Sequence, residues 1–111
     1  RVLEEGLDHI QKVQGNIKGV FHLDGVIDDA TLLNQSEASF KKVFAAKAYG
    51  SWNLHALTQS LKIELNHFVL FSSVSSMIGS GGQANYAAAN GFMDGLSLKR
   101  RQLDLPALSL N

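Results

Sequence analysis

The chain has 111 residues, 45% hydrophobic and 18% charged, with ten Lys-plus-Arg residues balancing ten Asp-plus-Glu residues and no cysteine. That length bounds it at one modest domain. The even charge argues against a general polyanion binder, and the missing cysteine excludes disulfides and thiolate metal sites. No apolar run approaches the roughly 18 residues that cross a membrane, and nothing at Arg1 resembles a signal peptide. The expectation is a cytoplasmic protein without nucleic-acid or membrane partners.

Val2, Leu3, Leu7, Ile10 and Val13 recur at helical spacing, which predicts an amphipathic helix over residues 1–13. Gln14-Gly15-Asn16 ends it. The run IKGVFHL, residues 17–23, reads as a short buried strand. Gly25 and the pair Asp28-Asp29 follow in a loop. Ser36 is the candidate N-cap, with Glu37 in the first turn, of a helix of about 24 residues. Phe40, Val43, Phe44, Leu54, Leu57 and Leu61 form its apolar stripe. Residues 67–72 read as a second strand, and the glycine-rich run MIGSGGQAN, residues 77–85, as a loop. A third helix is predicted over residues 85–103. Its basic run, Lys99-Arg100-Arg101, reads as a solvated last turn, where cations suit the helix dipole. Pro106 marks a turn and residues 107–110 a final strand.

The order is helix, strand, helix, strand, helix, strand. Apolar strands separated by full helices imply parallel pairing with right-handed crossovers, so the fold class is α/β. The three strands are expected to form part of a Rossmann-like doubly wound sheet covered on both faces. The first helix begins uncapped, and a strand ends the chain. No G-x-G-x-x-G turn is present, since Gly79, Gly81 and Gly82 lack that spacing. Residues 1–111 therefore read as the second half of a larger α/β domain.

Tyr86 and Asn90 lie one helical turn apart, which puts both heads on one helix face. Ser73 follows the second strand and can point into the same crevice. A phenol and a hydroxyl converging on one point suit a carbonyl oxygen about to receive a hydride. A neighbouring ammonium would ease proton release from the phenol. Lys47 is the candidate ammonium; it either snorkels from its apolar stripe or faces a polar crevice at the sheet's carboxyl edge. Taken singly, Tyr86 reads as a half-buried aromatic, Ser73 as a strand cap and Asn90 as a local hydrogen-bonder. His22 ends the first strand at the edge where α/β ligands bind, so it is a candidate pocket residue. His9, His55 and His67 read as surface or satisfied core residues. No histidine pair has metal-ligand spacing with a carboxylate, so no metal is expected. Adjacent Asp28 and Asp29 are poorly placed to flank a bond from two sides, which favours a loop or entrance-rim role.

The runs GVFHLDGVIDDATL, FKKVFAAKAYGSWNLH, FVLFSSVSSMIGSGGQANYAAANGFMDGL and LPALSLN cover nearly all of residues 18–111. Together they resemble the carboxyl-terminal half of the ketoreductase domain of modular polyketide synthases, in the short-chain dehydrogenase/reductase superfamily. Ordinary short-chain reductases place a lysine four residues after the tyrosine. Here that position is Asn90 and the lysine is Lys47, the exchange that synthase ketoreductases show.

The resemblance implies that Tyr86 protonates the carbonyl oxygen while NADPH delivers hydride to the β-carbon. Ser73 would hydrogen-bond the same oxygen, Lys47 would hold the nicotinamide ribose, and Asn90 would order a proton relay. His22, Gly25, Lys47 and Tyr86 would line the cofactor site. The substrate would be a β-ketoacyl thioester on an acyl carrier protein, with other synthase domains in the same chain. Ile27-Asp28-Asp29 is similar to the leucine-aspartate-aspartate signature of B-type enzymes, and Ile78 replaces the A-type tryptophan. Two departures are Gly81 for a common proline and His22-Leu23-Asp24-Gly25 for histidine-alanine-alanine-glycine. The alternatives are an inactive structural or docking fragment and, against the absence of lysine at position 90, another NADP-dependent dehydrogenase.

Overall fold

A computed structural model describes all 111 residues. Helix α1 (Val2–Gln14) leads to strand β1 (Gly19–His22). A loop with a single 3-10 turn at Leu32–Asn34 precedes α2 (Glu37–Phe44), a π-helical turn (Ala45–Tyr49) and α3 (Gly50–Ser60). Strand β2 (His67–Phe71), the short α4 (Ser75–Ile78), the long α5 (Ala84–Gln102) and β3 (Leu108–Leu110) complete the chain. The alternation expected from the sequence is thus present. Three local features are additional: the 3-10 turn, the π turn and α4.

The expected long second helix exists as one run, α2 to α3, interrupted by the π turn. Ser36 caps it, its hydroxyl accepting from Ser39 N–H at 3.1 Å. In the π turn the Gly50 N–H donates to Ala45 O, five residues back. The wider turn rephases the helix. Lys47 and Ala48 face inward there, and α3 then buries Ser51, His55 and Thr58.

All pairing is parallel, in the order β1-β2-β3. Val20 lies opposite Phe68, and Leu70 opposite both His22 and Ser109. The core is Val20, Phe68, Leu70, Met93 and Leu96, with Leu54 and Leu65 against it. Each large apolar side chain buried there contributes about 1.5–3 kcal/mol. This core uses one face of the sheet. Coverage of both faces, expected from the sequence, does not hold: Phe21 is 59% exposed and Leu108 48%. The topology explains it, because two crossovers of one hand advancing in one direction lay their helices on the same face. On α1, only Leu7 is buried.

The basic run at the end of α5 departs from its expected solvation. Arg100 is 1% exposed. Its guanidinium stacks 3.8 Å from the Phe68 ring centroid, its Nε donates to Pro106 O at 3.1 Å, and its Nη1 lies 2.8 Å from His55 Nδ1. A planar cation over a ring, with a carbonyl and an imidazole nitrogen as acceptors, can be buried without a carboxylate partner.

Candidate active site

The carboxyl end of β2 is where the predicted residues gather. Lys47, carried inward by the π turn, donates from Nζ to Phe71 O, the last carbonyl of β2, at 3.0 Å. The same ammonium lies 5.3 Å from the centroid of the Tyr86 ring. The side chain does not snorkel to solvent; the residue is 3% exposed. Burial pushes the Lys47 pKa below its ordinary value, while the Asp24 carboxylate opposes that shift.

Gly25 gives this lysine its room. A Cβ at position 25 would stand 3.0 Å from Lys47 Cε and 3.5 Å from Nζ. Tyr86, half-buried, sits in the first turn of α5, where its N–H donates to Asn85 Oδ1 at 2.8 Å. One turn on, the Asn90 Nδ2 donates to Tyr86 O at 2.8 Å, which leaves Asn90 Oδ1 buried without a partner. A buried acceptor with no donor is costly, so this atom is suited to a ligand hydroxyl or a water.

Ser73 lies two residues beyond β2, on the turn into α4. Its hydroxyl oxygen accepts from Ser75 N–H at 3.2 Å and from the Ser75 hydroxyl at 3.0 Å. It makes no hydrogen bond to Lys47 or Tyr86. His22 is buried at the end of β1, and a Cβ at Gly50 would stand 3.2 Å from its Cε1. Its Nε2 has no partner.

The acidic pair fulfils the loop role. Asp28 O accepts from Asn85 Nδ2 at 2.8 Å and from Ser39 Oγ at 3.1 Å, and its carboxylate pairs with Lys42 at 3.2 Å. Asp29 accepts from Gln83 Nε2 at 3.1 Å, and Ala30 N–H donates to Gly82 O at 2.9 Å. Loop 28–35 is therefore strapped to the start of α5, beside Tyr86. Sequence reasoning missed Asn85, Gln83 and Ser75 as site supports. Their signal was weak: polar residues near a helix start have many uses, and only the fold shows which loop they grip.

The arrangement presents a phenol beside an ammonium, a hydroxyl with its acceptor positions filled, and an orphaned amide oxygen. That set can donate a proton to a carbonyl oxygen and hold the hydroxyls of a polar cofactor.

The KR domain family model matches residues 1–111. Mycoketide-CoA synthase of Mycobacterium tuberculosis is 44% identical over 98 residues, which cover 88% of this chain and 2% of the synthase. Among solved structures, the first ketoreductase of the tylosin polyketide synthase is 42% identical with a TM-score of 0.83, covering 96% of this chain and 23% of that one. A ketoreductase domain from the bacillaene assembly line is 30% identical with a TM-score of 0.91, covering 98% of this chain and 27% of that one. The chain thus spans about a quarter of the ketoreductase structures it matches. It belongs to the KR domain family, the ketoreductases of polyketide synthases and members of the short-chain dehydrogenase/reductase class.

Proposed function

We propose that these residues are the catalytic, carboxyl-terminal portion of a ketoreductase domain that reduces a β-ketoacyl thioester, held on an acyl carrier protein, to a β-hydroxyacyl thioester. The observation that carries this reading is the Lys47 ammonium 5.3 Å from the Tyr86 ring, reached from a separate helix. NADPH, when bound, would supply the hydride to the β-carbon. Tyr86 gives its phenolic proton to the carbonyl oxygen as charge develops there. Ser73 donates to the same oxygen, because Ser75 already fills its acceptor positions.

Lys47 stabilises the phenolate left behind and has two further protons, beyond the one on Phe71 O, for ribose hydroxyls. Asn90 Oδ1 accepts from a hydroxyl or water in the relay that reprotonates Tyr86. Gly25 keeps space open beside Lys47 where a cofactor would lie, and His22, buried at the end of β1 with Nε2 unpartnered, would line the cofactor pocket. Ile27-Asp28-Asp29, held against the start of α5, favours B-type stereochemistry. The setting is cytoplasmic, and no helix is long and apolar enough to cross a membrane.

The test is a full-length ketoreductase domain carrying these residues, supplied with a β-ketoacyl thioester and either NADPH or NADH. The expected result is NADPH consumption with a D-configured alcohol as product. Absence of turnover with both cofactors would refute the reading.

The open sheet face supports a second reading, in which the 111 residues alone are inactive. Calorimetric titration of the isolated chain with NADPH separates the two. Negligible binding supports the inactive fragment, and tight one-to-one binding contradicts it.

A further inference from the structure

Beyond Tyr86 and Asn90, helix α5 carries one more polar residue at the same spacing, Asp94. The interval of four keeps all three on one face. Its carboxylate has no basic partner. Instead Oδ2 accepts from Ser76 Oγ at 2.5 Å and from Asn111 Nδ2 at 3.3 Å, and Oδ1 accepts from Ser109 Oγ at 2.5 Å. Bonds of that length are typical of a hydroxyl donating to an ionised carboxylate. One side chain on α5 thus grips α4, β3 and the residue after β3.

The grip reaches Ser73. Asn111 Nδ2 also contacts Ser73 O at 3.3 Å and Ser76 Oγ at 2.9 Å, and the Ser76 N–H donates to Ser73 O at 2.9 Å. Inside the same turn, Ser75 occupies the acceptor positions of the Ser73 hydroxyl. The only direction left for the Ser73 proton is set by how this turn sits against α5. Burial pushes the Asp94 pKa up, but hydrogen bonds from Ser109, Ser76, Ser72 and Asn111 outweigh it and hold the carboxyl below its ordinary range.

We propose that Asp94 is a positioning residue, whose carboxylate fixes the Ser73–Ser76 turn and with it the direction in which Ser73 offers its proton to the substrate carbonyl. This rests on the assignment of Ser73 given above. Asp94 makes no direct hydrogen bond to Tyr86, Lys47 or Asn90. Ser72, beside it, donates to the Asn90 main-chain carbonyl at 3.2 Å and not to the Asn90 side chain, and the double-mutant cycle below tests that the effect on turnover runs through Ser73. A strap with a purely structural role would instead weaken every site residue together.

The test is a double-mutant cycle in the full-length ketoreductase domain, with NADPH and a β-ketoacyl thioester. Asp94→Asn keeps the size but puts an NH2 where an acceptor oxygen faced a donor. Expected is a fall in kcat of about tenfold or more, with the NADPH Kd unchanged within about twofold, and no further fall in a Ser73→Ala background. An unchanged kcat, or an equal loss in both backgrounds, overturns the proposal. If Ser73→Ala itself keeps full turnover, the site assignment falls and takes the proposal with it. If Asp94→Asn does not fold, Ser109→Ala, which removes one hydroxyl, enters the same cycle. There a fall of about threefold that vanishes beside Ser73→Ala supports the proposal, and full additivity overturns it.

Discussion

Replacing Gly25 with alanine probes the space beside Lys47. A Cβ there would lie 3.0 Å from Lys47 Cε and 3.5 Å from Nζ. Ordinary carbon contacts stand at about 3.5 Å or more, so the Lys47 Cε must give by a few tenths of an ångström, while Nζ is already at ordinary contact distance. The lysine has little freedom to do so, being 3% exposed and tied to Phe71 O at 3.0 Å. Even a shift of that size lengthens or bends the bond to Phe71 O and weakens it. The backbone is not the obstacle, because Gly25 is not among the positive-φ residues. Position 25 is also exposed, so the stability loss should stay below about 1 kcal/mol. A misplacement of about 1 Å at a reacting centre costs up to about a hundredfold, so a shift of a few tenths should lower the turnover of Gly25→Ala by roughly three- to tenfold. Steady-state kinetics of the full-length domain, read beside its melting curve, provide the assay. Wild-type turnover in a normally folded Gly25→Ala protein would refute the crowding argument.

Other outcomes follow from the same contacts. Lys62 and Asp104 hold φ of 52° and 55° just past the ends of α3 and α5, so Lys62→Gly should raise stability by about 1 kcal/mol in denaturant melts. Arg100→Ala removes a stacked, fully buried side chain and strands Pro106 O, which should cost about 3 kcal/mol by the same measurement. Burial, and then the nearby Arg100 charge, lower the His55 pKa below 6.5. The unfolded chain therefore takes up a proton that the folded one resists, and stability should decline as pH falls through about 6.5. His55→Asn should flatten that decline in melts run from neutral to mildly acid pH. Asn85→Ala, which frees Asp28 O from the start of α5, should destabilise by about 1–3 kcal/mol and loosen loop 28–35 in hydrogen exchange.

The architecture was largely legible in the sequence. The predicted span of α5, residues 85–103, and its observed bounds, Ala84–Gln102, nearly coincide, because a long run of small residues at helical spacing has few alternatives. Strand β1 came out shorter than its apolar run, since parallel pairing with β2 reaches only from Gly19 to His22. The π turn was invisible: AAKAY has ordinary helical composition, and side-chain period does not report a turn widened by one residue. Yet that turn is what delivers Lys47 to the end of β2. The burial of Arg100 was equally hidden, because Phe68, His55 and Pro106 come from three separate elements. Its neighbours Lys99 and Arg101 are exposed, so the local composition gave the right answer for two residues of three. The meeting of Lys47 with Tyr86 was foreseen, but the straps that hold the surroundings, through Asn85 and Asp94, were not. They are side-chain bonds between segments distant in sequence.

The most direct test of the site is turnover of the full-length domain with Tyr86→Phe at saturating NADPH. Removing one oxygen deletes the proton donor and leaves the ring beside Lys47 in place. A fall of at least about a hundredfold, with cofactor binding retained, is expected for loss of a general acid. Unchanged turnover would contradict the assignment of Tyr86 and with it the mechanism.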